Sequence, residues 1–215
     1  MSKDKVLDLK IVFLGAESVG KTALIHRYCN NKFQENIMNT IGAGFFTHSL
    51  KIDDLELNLL LWDTSGEERF RSVAPSLLRG ANGLVLVYDL TNPKSFEDVN
   101  IYLEMFLDTV VVDMGCELPV LLLGNKVDLI KQNENRNEDS ESSSVLLDRQ
   151  VDEWCIKNKI ILKNKVSAKS GEGVAQSIEK LVHTIITPDR SEDQRPLQLT
   201  AVPVEENNNN NRGCC

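Results

Sequence analysis

Short unbroken apolar runs alternate along this chain with longer stretches in which apolar residues recur every three or four positions. Residues 9–14 (LKIVFL) predict a buried strand that stops at Gly15, and a helical pattern follows over 21–29. Residues 45–52 and 56–63 flank the turn residues Asp53 and Asp54 and predict a β-hairpin. Residues 84–88 and 120–123 are continuous apolar runs of strand length, as expected for a sheet covered on both faces. Between them, 95–112 has helical length and carries Phe96, Val99, Leu103, Phe106 and Val110 at three- and four-residue steps. The stretches 145–157, 160–166 and 174–186 then repeat helix, strand, helix. This βαβ succession predicts a three-layer α/β fold around a mainly parallel sheet.

Two segments break the pattern. Residues 131–144 (KQNENRNEDSESSS) hold no apolar side chain and cannot bury anything, so they predict a solvated loop. The periodicity stops after Pro188. Asparagines at 207–211 lead to Arg212-Gly213-Cys214-Cys215, and 188–215 predicts a disordered tail. The chain thus divides into a short extension (1–7), one domain (8–187) and the tail (188–215). Of its 215 residues, 41% are hydrophobic and 26% charged, which excludes wholesale disorder. A net charge of −8 with no basic block argues against nucleic acid as a partner. The apolar runs are too short to span a bilayer, and the mixture of Lys3, Asp4, Lys5, Asp8 and Lys10 does not read as a secretory signal. Cys29, Cys116, Cys155, Cys214 and Cys215 have neither disulfide-framework nor metal-site spacing, which points to a reducing, cytosol-facing protein.

The chemistry concentrates in four short strings, each after a predicted strand. Gly15-Ala16-Glu17-Ser18-Val19-Gly20-Lys21-Thr22 fits the phosphate-loop pattern. Its glycines let backbone N–H groups turn toward phosphates, with the positive end of the following helix behind them. Lys21 offers a point charge to the β- and γ-phosphates, and Thr22 a hydroxyl to Mg²⁺. Asp63-Thr64-Ser65-Gly66 places a carboxylate where it can hold Mg²⁺ through water, and Gly66 an N–H for the γ-phosphate. In Asn125-Lys126-Val127-Asp128, the Asp128 carboxylate matches the N1–H and 2-amino donors of guanine. Adenine lacks that donor pair and would be rejected by about 10⁴-fold. Ser167-Ala168-Lys169 can turn the Ala168 N–H toward guanine O6. Each of the three later strings is also an ordinary strand-to-loop cap; four in this order are not.

With Thr40 in Asn39-Thr40-Ile41-Gly42, these elements resemble the guanine-nucleotide motifs of the Ras superfamily. The stretch from Trp62 to Ser72 (WDTSGEERFRS), Leu78-Arg79-Gly80-Ala81, Ile41-Gly42-Ala43-Gly44-Phe45, Tyr88-Asp89-Leu90-Thr91 and the terminal Cys-Cys are similar to the Rab branch. The resemblance covers about 8–187 and the last two residues. It implies a P-loop GTPase fold with a six-stranded sheet and about five helices. It also implies that Gly15, Glu17, Ser18, Val19, Gly20, Lys21, Thr22, Ala23, Phe33, Thr40, Gly66, Asn125, Lys126, Asp128, Ser167, Ala168 and Lys169 bind GTP and GDP. Phe33 would pack beside the guanine and Lys126 over its face. Thr22, Thr40 and Asp63 would hold Mg²⁺, and Lys21, Thr40 and Glu67 would serve catalysis. The implied partners are an exchange factor, a GTPase-activating protein, a GDP-dissociation inhibitor and effectors, acting on a monomer. Cys214 and Cys215 would carry geranylgeranyl groups, anchoring the chain on the cytoplasmic face of an intracellular membrane between periods in the cytosol.

The departures from the family pattern carry information. Glu67 stands where the family usually has the Gln that orients the attacking water. A carboxylate keeps the acceptor, loses the donor and adds negative charge. Glu17 brings a second carboxylate to the phosphate-loop crest, where its side chain is expected to point to water. Leu77 replaces an aromatic that in many Rabs stacks with the residues matching Phe45 and Trp62, which alters the effector-reading surface. The leading reading is therefore a GTP-hydrolysing switch. Glu17 and Glu67 motivate a rival, a nucleotide-dependent binding module with negligible hydrolysis; an ATP-dependent enzyme is disfavoured by Asp128. His26, Cys29, His48, Trp154, Cys155 and His183 read as packing or surface positions.

Overall fold

The computed structural model describes residues 6–35, 40–66, 77–114, 118–134 and 140–187. Six strands form one sheet: β1 (Leu7–Leu14), β2 (Ala43–Ile52), β3 (Leu55–Thr64), β4 (Gly83–Asp89), β5 (Val120–Asn125) and β6 (Leu162–Lys165), in the order β2-β3-β1-β4-β5-β6. All neighbours pair in parallel except β2 and β3, the hairpin turned at Asp53, whose backbone is left-handed (φ 52°). The described helices are α1 (Lys21–Asn30), α2 (Pro93–Glu97), α3 (Val99–Met114), α4 (Val127–Glu134), α5 (Ser140–Lys157) and α6 (Val174–Ile186). This is the α/β fold of the P-loop GTPases.

Strand alternation sends side chains into two cores. Leu9, Ile11 and Phe13 of β1 with Val85 and Val87 of β4 meet Leu24 and Ile25 of α1 and Ile178, Leu181 and Val182 of α6. Val12 and Leu14 with Leu84 and Leu86 meet Phe106 of α3 and Val151 and Cys155 of α5. All seven residues of β4 are buried, which is why that run lacks polar alternation. The buried positions of α6 (Val174, Ser177, Ile178, Leu181, Val182) follow the helical period.

Two expectations need correction. The predicted helix 95–112 is divided into α2 and α3 with a break at Asp98. Ser95 accepts the Asp89 N–H (2.9 Å) and donates to Asn92 O (2.6 Å), which hooks the first turn back onto the end of β4. Residues 131–144 are not all loop: α4 runs on to Glu134, and α5 begins at Ser140. Extending an existing helix fixes one residue per added hydrogen bond, so polar residues join a helix nucleated by its apolar neighbours. Residues 188–215, read as a tail, lie outside the described residues.

Candidate functional site

The loops singled out in the sequence all leave the C-terminal ends of strands, where open α/β sheets carry their crevice. Loop 15–20 joins β1 to α1. Gly20 caps α1 with a left-handed backbone (φ 96°), and a Cβ there would lie 2.4 Å from Asn125 Nδ2. Asn125 uses that space. Buried at the end of β5, it donates to Val19 O (2.9 Å) and accepts the Ala168 N–H (3.1 Å). One amide therefore ties loop 15–20 to the loop after β6. The Ala168 N–H, expected to face a base, has Asn125 as its partner here.

Lys21 opens α1 and is buried, its ammonium donating to Gly15 O and Ala16 O, both at 2.8 Å. Burial lowers its pKa to about 8, against the opposing pull of the Asp63 and Glu17 carboxylates. Thr22 Oγ1 donates to Asp63 Oδ2 (2.6 Å), Thr40 Oγ1 donates to the same oxygen (3.1 Å), and the two hydroxyls lie 2.9 Å apart. Burial raises the Asp63 pKa, while the Thr22 hydroxyl, Lys21 and the Thr40 hydroxyl pull it down. The other oxygen, Asp63 Oδ1, is buried with no hydrogen-bond partner among the described residues. A desolvated carboxylate oxygen beside two hydroxyls is a hard donor set, and its cost is offset when a small divalent cation such as Mg²⁺ joins it.

Gly66, just past β3, lies against loop 15–20: a Cβ there would fall 2.3 Å from Glu17 N and 2.4 Å from Ala16 C. Asp128, in the first turn of α4, accepts the Ser167 hydroxyl at 2.6 Å. Lys126 has a left-handed backbone (φ 70°), and its ammonium pairs with Asp89 Oδ2 at 2.6 Å. Asp89 Oδ1 accepts the N–H and hydroxyl of Thr91 (2.8 and 2.7 Å), so this carboxylate is held on both oxygens.

Together the loops enclose a cavity of about 380 Å³. Its wall includes Glu17, Ser18, Gly20, Lys21, Thr22, Ala23, Phe33, Thr40, Gly66, Asn125, Lys126, Asp128, Ala168 and Lys169. Gly15, Val19, Asp63 and Ser167 do not line it, and act on lining residues through the hydrogen bonds given above. Glu17 is exposed on the loop crest, as expected. Glu67, Cys214 and Cys215 lie outside the described residues. Sequence reasoning missed Gln34, Glu35, Thr64, Ser65 and Leu129 in the wall, and the pairing of Asp89 with Lys126. Thr64 and Ser65 had a signal in Asp63-Thr64-Ser65-Gly66, and Asp89 in Tyr88-Asp89-Leu90-Thr91.

Other candidates are packing residues. His26 meets Phe46 edge-on and His48 lies against Tyr28, with ring centroids 5.0 and 4.7 Å apart. Phe45, half-exposed, packs edge-on to Trp62 at 5.3 Å, and the Lys10 ammonium stands 4.7 Å over the Trp62 ring. Among the described residues no helix is long and apolar enough to cross a membrane.

The Ras family model matches residues 10–187. Ras-related protein RABG3b of Arabidopsis thaliana is 37% identical over 185 residues, 86% of this chain and 87% of that protein. Ras-related protein Rab-7b of Mus musculus is 37% identical over 181 residues, 84% of each chain. Ras-related protein Rab-7b of Paramecium octaurelia is 32% identical across the full length of both. The chain belongs to the Ras family of small GTPases, in its Rab branch.

Proposed function

We propose that this chain is a guanine-nucleotide switch that binds GTP and GDP with Mg²⁺, hydrolyses GTP and changes its effector binding in intracellular membrane traffic. The supporting observation is the cavity, which gathers Lys21, Thr22 and Thr40 with Asn125, Lys126, Asp128 and Ala168 around one space. Asp128 accepts the guanine donors, its carboxylate oriented by Ser167. Lys21, steered by the Gly15 and Ala16 carbonyls, presents its charge to the phosphates. Thr22, Thr40 and Asp63 would hold Mg²⁺, which would supply positive charge beside the β- and γ-phosphates. Water attacks the γ-phosphorus, the bond to the β–γ bridging oxygen breaks, and GDP and inorganic phosphate leave. The γ-phosphate is the ligand of Thr40 and of the Gly66 N–H, so its loss releases the segments around them (about 34–42 and 66–79) and effectors with them.

The obvious motifs hold no arginine placed as an internal finger, so an activating protein supplies one in trans, and a Gln from the same protein makes Glu67 tolerable. An exchange factor and a GDP-dissociation inhibitor complete the cycle of a monomer carried by lipid on Cys214 and Cys215. A second reading, a binding module with negligible hydrolysis, draws on the Glu17 carboxylate at the cavity rim. Two measurements test these readings. Nucleotide released by denaturing the purified protein is expected to be guanine-based; adenine would defeat the central reading. Phosphate release in a single turnover, with and without a family activator, separates switch from module: release only at the uncatalysed rate in both favours the module.

A further inference from the structure

Arg27, in the last turn of α1, is half-buried and uses all three guanidinium nitrogens on the chain around the base side of the cavity. Nε donates to Ala168 O (2.8 Å) and Nη2 to Lys169 O (2.6 Å), on the loop after β6. Nη1 donates to both Asn31 O and Asn31 Oδ1, each at 3.0 Å. Asn31 is the left-handed C-cap of α1 (φ 51°), two residues before Phe33, which lines the cavity. The loop passes close to the arginine stem at Gly171, where the backbone is left-handed (φ 87°) and a Cβ would lie 3.4 Å from Arg27 Cδ. Farther out, Lys169 pairs with Glu35 at 3.1 Å, a second and exposed tie between the same two segments.

We propose that Arg27 is a positioning residue that fastens the base-side loop 167–171 to the segment entering Phe33, and so sets how fast guanine nucleotide leaves. The inference rests on the reading of the cavity as a guanine-nucleotide site. Two walls of that cavity, Ala168 and Lys169 on one side and Phe33 to Glu35 on the other, come from chain segments more than a hundred residues apart. For the base to leave, the walls must part, and Arg27 is bonded to the backbone of one wall, at Ala168 and Lys169, and to that of Asn31, which leads into the other. Its charge also suits the place: the carbonyl end of α1 is the negative end of the helix. A planar fork reaches three backbone carbonyls at once, which a lysine ammonium on a single flexible stem does not.

The test is the dissociation rate of a fluorescent GDP analogue from the full chain. Arg27→Ala is expected to raise it by about 10- to 100-fold, the range for losing charge-assisted hydrogen bonds. The Mg²⁺ concentration that half-maximally slows release should stay within about twofold, since Arg27 has no contact with the Thr22–Thr40–Asp63 cluster. Arg27→Lys should recover little; full recovery would mean that charge alone matters, and would overturn the proposal. Should Arg27→Ala fail to fold, Asn31→Gly keeps the left-handed cap and the bond to Asn31 O but removes the one to Asn31 Oδ1, for an expected rise of about threefold; no rise overturns the proposal. Val151→Ala, on the opposite core, controls for stability: if it speeds release as much at an equal drop in melting temperature, Arg27 acts only as a structural residue and the proposal fails. A wild-type chain that retains GDP beside an Arg27→Ala chain releasing it at the same rate overturns this proposal alone. A wild-type chain that retains no guanine nucleotide overturns the reading of the site as well.

Discussion

Lys21 owes its low pKa to burial behind loop 15–20, and the protonated amine is the form that phosphates select. Nucleotide therefore lifts that pKa, and binding takes up protons once the amine has begun to titrate. Affinity falls as pH rises through about 8 and is flat well below it. GDP affinity is expected to drop about fourfold between about pH 7 and about pH 8.5, by equilibrium titration; flat or rising affinity counts against the assignment. Folding runs the other way. The folded pKa is about 8 against an ordinary 10.5, so the unfolded chain binds more protons between those values and stability without nucleotide rises across that window. Asp63 offers a second test. Asp63→Asn keeps the shape and removes the charge on which the proposed Mg²⁺ site relies. The Mg²⁺ concentration that half-protects bound GDP is expected to rise at least about tenfold, with thermal stability in the absence of Mg²⁺ unchanged or higher, because the buried charge is gone.

Among the elements, α4 and α5 show how a polar stretch with nothing to bury still becomes partly helical. Val127 of α4 and Leu147, Val151 and Cys155 of α5 are buried, and they anchor helices whose facing ends run into 131–144. Lys131 pairs with Glu172 at 2.5 Å, but both side chains are about half exposed, and such a pair contributes about 0–1 kcal/mol. Deleting 135–139 removes none of these four buried side chains. The GDP dissociation rate is expected to change by less than about threefold, since lengthening or shortening a loop costs little. A large acceleration would show that this stretch braces the base side of the cavity.

For the whole molecule, the acidic balance bears on how the proposed membrane anchoring would work. The 28 residues from Pro188 carry Arg190, Arg195 and Arg212 against Asp189, Glu192, Asp193, Glu205 and Glu206, a net −2 that gains nothing from an anionic leaflet. The paired Cys214 and Cys215 are the proposed lipid sites. One chain of lipid holds a protein marginally and two hold it stably. Cys214→Ser is expected to weaken membrane association, and the double Cys→Ser change to abolish it, read by fractionation. A double mutant that still pellets with membranes would overturn lipid anchoring.

Periodicity and short motifs by themselves determined most of the succession of strands and helices, the mainly parallel sheet, and the strings that carry the proposed phosphate loop, metal carboxylate and guanine-reading Asp128. These are local properties: a period of two or 3.6 residues, or a loop whose own backbone makes the site, is written in consecutive positions. Only the tertiary structure decided that Asn125 joins Val19 to Ala168, that Lys126 answers to Asp89, and that Asp63 Oδ1 is stranded in the interior. Arg27 is the clearest case, since its partner Ala168 lies 141 positions away. Hydrophobic patterning says that one face of α1 is covered, but not which carbonyls a polar side chain at its end will meet. Those meetings depend on how packed layers bring loop backbones within about 3 Å of one another, and hydrogen bonds of that length have no trace in sequence spacing.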